Sequence, residues 1–226
     1  MTAIPQPRAL LLAMMDVDPA HEEEFNRWYE EEHLPDRANC RGFLAARRFV
    51  AVEGGPKYLA LYDLENRDVL ASPQYRKIYD PPTPWTRKMR PHFRNAVRNV
   101  YVDVTARPRA AGNATGNALL LVMADISPAL DDEFNRWYDE EHVPERLSIP
   151  GFLGGRRFRA VEGAPRYLAL YDLESVDVLA SEAYKHFRGA GETAWTQKMM
   201  KAMQNFRRSV YATLPSPTLA EVECRA

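Results

Sequence analysis

Among the 226 residues only two are cysteines, Cys40 and Cys224. Two scattered thiols supply neither a disulfide framework nor a tetrahedral thiolate set, so they are assigned no role. Long apolar runs are also missing. The longest, such as Ala9 to Met15, fall far short of the roughly 20 residues that span a bilayer, and Met1 to Arg8 has no apolar signal core. Neither sign of charge is in excess: 30 Lys and Arg face 31 Asp and Glu, and the net charge of −1 gives no field to draw a polyanion or an anionic membrane. A glycine-rich loop opening a helix is absent, because Glu53-Gly54-Gly55-Pro56 stands between two strand-like segments; a Gly-x-Ser-x-Gly elbow is absent as well. These absences set aside nucleic-acid and membrane partners, dinucleotide binding and serine-nucleophile chemistry. They leave a cytoplasmic globular protein as the expectation.

What the sequence does contain is itself, twice. Ala9-Leu-Leu-Leu12 returns as Ala118-Leu-Leu-Leu121, Phe25-Asn-Arg-Trp-Tyr29 as Phe134-Asn-Arg-Trp-Tyr138, and Tyr58 to Glu65 as Tyr167 to Glu174. The offset is 109 residues up to Tyr75 and Tyr184 and 110 from Trp85 and Trp195, so the copies differ by one residue in a loop, where insertions are tolerated. A period this long marks duplicated domains. The expected division is a first unit over 1–105, a linker over 106–117 rich in Pro, Gly, Ala and Asn, a second unit over 118–214 and a tail over 215–226.

Within a unit, Ala9 to Val17 has strand length, and Asp18-Pro19 supplies an N-cap and a first-turn proline for a helix, a signal repeated by Ser127-Pro128. Leu34-Pro35 predicts the end of that helix near His33. Phe43 to Val52 and Lys57 to Leu64 read as a hairpin, Asp68 to Tyr79 and Trp85 to Phe93 as helix, and Ala96 to Val104 as a closing strand. The order βαββαβ is the ferredoxin-like split motif, with helices on one sheet face and the other face needing cover.

This order, with Trp28-Tyr-Glu-Glu-Glu-His33-Leu-Pro35 and Gly42-Phe43, resembles the dimeric α+β barrel superfamily and within it the EthD-like proteins. The resemblance implies an α+β fold in which two ferredoxin-like units pack their antiparallel sheets into a barrel. One chain would here supply both halves as an intrachain pseudo-dimer, with a further homodimer left open. Relatives in that superfamily include cyclases, isomerases, decarboxylases and monooxygenases that work without metal. Some two-repeat members bind haem through a histidine, but nothing in this sequence singles out an axial ligand.

Candidate chemistry concentrates on the first helix. Phe25, Trp28, Tyr29, Glu32 and His33 fall on one stripe, repeated by Phe134, Trp137, Tyr138, Glu141 and His142. His33 and His142 read either as helix-terminal residues or as general bases facing a cavity, where an imidazole titrating near neutrality can move a proton. On the second strand a period of two places Phe43, Ala45, Arg47 and Phe49 together, matched by Phe152, Gly154, Arg156 and Phe158. Arg47 and Arg156 are therefore candidate anion stabilisers, or partners of a nearby acid such as Glu32. Arg48 and Arg157 fall on the opposite face, and Arg37 and Arg146 rank lower, at a cavity mouth or on the surface. Trp28, Tyr29, Glu32, Phe49, Trp137, Tyr138, Glu141 and Phe158 are expected to contact substrate. One repeated histidine per unit and no repeated cysteine make no zinc set. The expected function is cofactor-independent proton transfer on a small, apolar, oxygenated metabolite bearing a carbonyl or phenol. The alternative is a non-catalytic small-molecule-binding or stress-related barrel.

Overall fold

The computed structural model describes residues 6–105 and 116–215. Most of the expected linker, most of the tail and Cys224 lie outside the described residues. The described residues separate into two compact units.

The first unit runs β1 (Ala9–Val17), α1 (Glu22–Trp28), α2 (Leu34–Ala38), β2 (Phe43–Glu53), β3 (Tyr58–Leu64), α3 (Pro73–Tyr79), α4 (Pro84–Met89) and β4 (Phe93–Asp103). Its sheet has the order β4-β1-β3-β2, all antiparallel, the ferredoxin-like arrangement. Leu12 stands opposite Leu61 on β3 and Asn99 on β4. The second unit repeats this as β5 (Ala118–Asp125), α5 (Asp131–Trp137), α6 (Val143–Leu147), β6 (Phe152–Glu162), β7 (Tyr167–Leu173), α7 (Glu182–His186), α8 (Ala194–Ala202) and β8 (Gln204–Thr213). Its sheet order is β8-β5-β7-β6.

The local signals act as read in part, and α4 ends at Met89, with Phe93 already opening β4. Asp18 caps the turn after β1 by accepting the Ala20 amide at 3.2 Å, whereas Ser127 makes no such side-chain bond. The segment from Asp68 to Tyr79 is a single-turn 3-10 helix, Arg67–Ala71, followed by α3, with Ser72 capping α3 through the Tyr75 amide. Gly42 enters β2 at φ +93°, and a Cβ there would stand 2.5 Å from Cγ2 of Val69, so the turn admits only glycine; Gly151 repeats this against Val178.

Helices and sheet bury an aromatic layer in the first unit that includes Phe25, Trp28, Tyr29, Phe43 and Tyr62, with Met89 packed in the same core. Phe25 is completely enclosed; truncating such a phenylalanine to alanine costs about 3–5 kcal/mol. The other sheet face is buried too, through Leu10, Leu12, Phe49, Leu59 and Leu61. No helix among the described residues is long and apolar enough to cross a membrane.

β2 departs from simple alternation. Phe43 pairs with Leu64, but Ala45 already pairs with Asp63, so Leu44 is an extra residue and the strand carries a bulge. The bulge reverses the phase: Phe43 and Ala46 pack on the helix-side core, while Phe49 belongs to the opposite face. β6 has the same irregularity between Phe152 and Gly154.

Candidate functional site

The expected helix break at Leu34-Pro35 does not occur. The residues Tyr29–His33 form one π-helical turn, and α2 continues from Leu34 with Pro35 in its first turn. The widened turn resolves the conflict posed by the proline. The Leu34 amide reaches back five residues to the Tyr29 carbonyl, so the missing N–H of Pro35 falls where a new α-helical segment starts. Val143, Tyr138 and Pro144 repeat the device.

The π turn sets His33 against the aromatic stripe. Its ring centroid lies 4.3 Å from that of Trp28 and 4.8 Å from that of Tyr29. These three residues line a cavity of about 200 Å³ bounded by β1, β3, β4, α3 and α4. Leu11, Ala13 and Met15 of β1 form its apolar floor; Tyr62, Tyr75 and Phe93 add aromatic walls. Tyr79, Arg90 and Ala96 are exposed and mark the solvent side, where Arg90 and Arg98 each place their guanidinium carbon 5.8 Å from the Tyr79 ring centroid. An apolar chamber with a cationic mouth favours a flat hydrophobic molecule that carries an acidic or anionic group.

Arg37 is buried beside this chamber and donates to the His33 carbonyl at 3.3 Å. Sequence spacing placed it low among the candidates; because the π turn carries the helix on through Pro35, Arg37 lies one turn beyond His33 on the cavity side. Nδ1 of His33 is buried and has no hydrogen-bond partner. Burial pushes the imidazole well below the ordinary histidine value, and the positive charges of Arg37, Arg48 and Arg90 push it further. The expectation of a resting histidine that titrates near neutrality is therefore overturned: the ligand-free imidazole is neutral. Burial also raises the Tyr29 hydroxyl and lifts Tyr62 well above the tyrosine range, so both remain protonated donors. The Tyr62 hydroxyl lies beside Tyr29 but makes no hydrogen bond of good geometry.

Three expected site residues are placed elsewhere. Arg47 and Phe49 do not line the cavity; Arg47 stacks over Phe49, 5.4 Å to its centroid, and Phe49 is buried on the opposite sheet face. The bulge at Leu44 is the reason, because it breaks the period of two on which that grouping depended. Arg48 takes the helix-side position instead. It is 3% exposed, donates to Oδ1 of Asn26 at 2.7 Å and lies 4.1 Å from the Tyr29 ring centroid, so it braces the wall behind the cavity. Glu32 also stays out of the cavity. Its carboxylate accepts from Nε1 of Trp28 at 2.9 Å and from the Thr83 and Thr86 hydroxyls, tying the π turn to α4.

The second unit has the same parts in less space. His142 lies 4.3 Å from Trp137, and with Tyr138, Tyr171 and Arg146 it lines a cavity of about 50 Å³. Nδ1 of His142 is buried without a partner, and burial with Arg146 and Arg157 holds this imidazole well below its usual value too. Arg156 and Phe158 are outside the cavity, and Glu141 accepts from Trp137, Thr193 and Thr196, as in the first unit. The space is lost through larger side chains at matching positions: Val122 for Ala13 and Phe206 for Ala96, both on the cavity lining.

Neither cavity encloses a haem: the larger opens to solvent beside Tyr79, Arg90 and Ala96 and holds about 200 Å³, too little to take a four-pyrrole macrocycle inside it.

No family model and no curated protein matches the sequence. Solved structures do match in fold. An anthrone oxidase-like protein superposes with a TM-score of 0.68 at 10% identity, covering 94% of this chain and 92% of that one. A monooxygenase-like protein of Fusobacterium nucleatum gives 0.64 at 10% identity, covering 94% of each chain. A chlorite dismutase of Candidatus Nitrospira defluvii gives 0.62 at 10% identity, covering 98% and 96%. The fold of each unit is thus α+β, a four-stranded antiparallel sheet in ferredoxin-like order with its helices.

Proposed function

We propose that the first unit holds the working site of a cofactor-independent enzyme that removes a proton from a small aromatic or enolisable ketone or phenol. The observation that carries this reading is the His33 imidazole, neutral and with an unpartnered buried Nδ1, on the wall of an apolar chamber of about 200 Å³. His33 would accept the proton. Arg37 and the Tyr62 hydroxyl would stabilise the resulting enolate or phenolate oxygen, and Trp28, Tyr29 and Phe93 would hold the ring system.

The low basicity of His33 fits this use. In the empty site the arginine field opposes an imidazolium. A substrate that becomes an anion on losing its proton compensates that field, so the imidazolium forms only together with the anion it generates. The fold likeness to an anthrone oxidase-like and a monooxygenase-like protein supports an oxygenated aromatic substrate. The EthD-like relationship rests on the Trp28-Tyr29, Glu32-His33-Leu34-Pro35 and Gly42-Phe43 residues.

Calorimetric titration with 1-naphthol, 2-naphthoate and anthrone tests the site. Saturable binding of at least one probe at one molecule per chain, abolished by Ala96→Phe, supports it. Binding of none, or binding unaffected by Ala96→Phe, removes the chamber as the site. A holding protein without turnover would bind the same probes but would not accelerate proton loss.

A further inference from the structure

Away from the cavity chemistry, three residues of the first unit converge without a counterpart in the second. Asp18 and His21 stand at the start of the helical segment after β1, and His92 precedes β4. One ligand-type atom from each lies within 4.8 Å of the other two. The two imidazoles stack with centroids 3.5 Å apart and planes at 29°. The backbone fixes the pair of segments, since the Asp18 amide donates to the His92 carbonyl at 3.1 Å. All three side chains are half-buried, which leaves the cluster open to an ion and to water.

The duplication gives an internal comparison. At the matching positions of the second unit stand Ser127, Leu130 and Ala202, so all three candidate ligands are absent together where the surrounding fold is repeated. Asp18 also caps the Ala20 amide and the two imidazoles stack, yet neither role requires an aspartate with two histidines in this copy while serine, leucine and alanine serve in the other. A shared ligand does.

We propose that Asp18, His21 and His92 form a binding site for one divalent transition-metal ion of the zinc type, with water completing its coordination. Two imidazole nitrogens and a carboxylate oxygen suit a borderline cation such as Zn(II), Co(II) or Ni(II). Donors bound to one such ion at about 2.1 Å stand no more than about 4.2 Å apart, so side-chain rotations moving the donors by about 1 Å complete the site. The bound ion would join the helix entry after β1 to the entry of β4, whose Phe93 walls the cavity.

The test is titration of chelator-treated protein with Co(II), followed by its visible absorption bands, and with Zn(II) by calorimetry. The expected result is saturation at one equivalent, a rise in Tm with Zn(II), and loss of both signals in the His21→Leu, His92→Ala double variant. Those are the residues of the second unit, so the variant is expected to keep the metal-free Tm of the parent. Should it fail to fold, Asp18→Ser serves instead, with binding expected to weaken about tenfold or more. Absence of saturable binding in the parent, or binding undiminished in the variant that folds, overturns the site.

Discussion

The imidazole of His33 lies against the indole of Trp28 with ring centroids 4.3 Å apart, and His142 repeats the separation against Trp137. Both imidazoles are held well below 6.5 by burial and neighbouring arginines. In the unfolded chain they titrate near 6.5. Below that pH the unfolded state therefore binds more protons than the folded one, and stability falls as the pH falls, at up to about 1.4 kcal/mol per pH unit for each histidine. Urea unfolding between pH 7 and 5 is expected to show this slope, reduced by roughly half in His142→Gln. An unchanged slope in that variant would mean that other groups dominate the acid response.

The difference between the two cavities follows from a few side chains, and is reversible by design. Ala96→Phe places in the first unit the residue that Phe206 contributes to the smaller cavity of the second. It is expected to leave Tm within a few degrees of the parent and to remove ligand-induced thermal stabilisation. Phe206→Ala should create room near His142 and raise the binding stoichiometry above one. If both variants bind like the parent, the cavity volumes do not govern binding.

Glu32 belongs to the scaffold. Three donors converge on its carboxylate, from Trp28, Thr83 and Thr86. Glu32→Ala leaves them short of an acceptor, with an expected loss of about 1–3 kcal/mol, read as a Tm lower by roughly 2–10 °C for a chain of this size. Ligand affinity measured well below that Tm should stay within about threefold of the parent, a difference under 1 kcal/mol. A large affinity loss with unchanged Tm would return Glu32 to the substrate contacts.

Arg37 combines two effects that separate in one variant. Arg37→Met keeps the volume but removes the cation that both depresses His33 and faces the cavity. The His33 pKa, followed by NMR of the imidazole ring, is expected to move up towards the ordinary range. Affinity for 2-naphthoate should fall by about tenfold or more, the scale of a charge-assisted hydrogen bond. A larger loss for neutral 1-naphthol than for 2-naphthoate would contradict an anion-stabilising Arg37.

The duplication and the order of elements were legible because Trp28-Tyr29, Glu32-His33 and the hairpin segments recur with one offset, and because apolar length and proline capping report local structure directly. Two features escaped. The phase of β2 depends on a bulge at Leu44, which follows from pairing with β3 and leaves no mark on β2 itself; the period of two therefore put Arg47 in the place that Arg48 occupies. The helix end was misplaced because Pro35 reads as a stop, whereas a π turn absorbs it and brings Arg37 to the cavity. The signal available was the second copy: His142, Val143, Pro144 and Arg146 preserve the spacing of His33, Leu34, Pro35 and Arg37. Which unit has space for a ligand was legible only in part, since Ala13 and Ala96 face the chamber through sheet geometry that sequence distance does not reveal.

Proton removal by His33 is measured most directly with anthrone in D₂O, by NMR of the loss of its acidic methylene hydrogens. Exchange is expected above the buffer rate in the parent, at the buffer rate in His33→Gln with anthrone still bound, and at the parental rate in His142→Gln. Parental exchange in His33→Gln, or none above buffer in the parent despite saturating binding, would contradict His33 as the base.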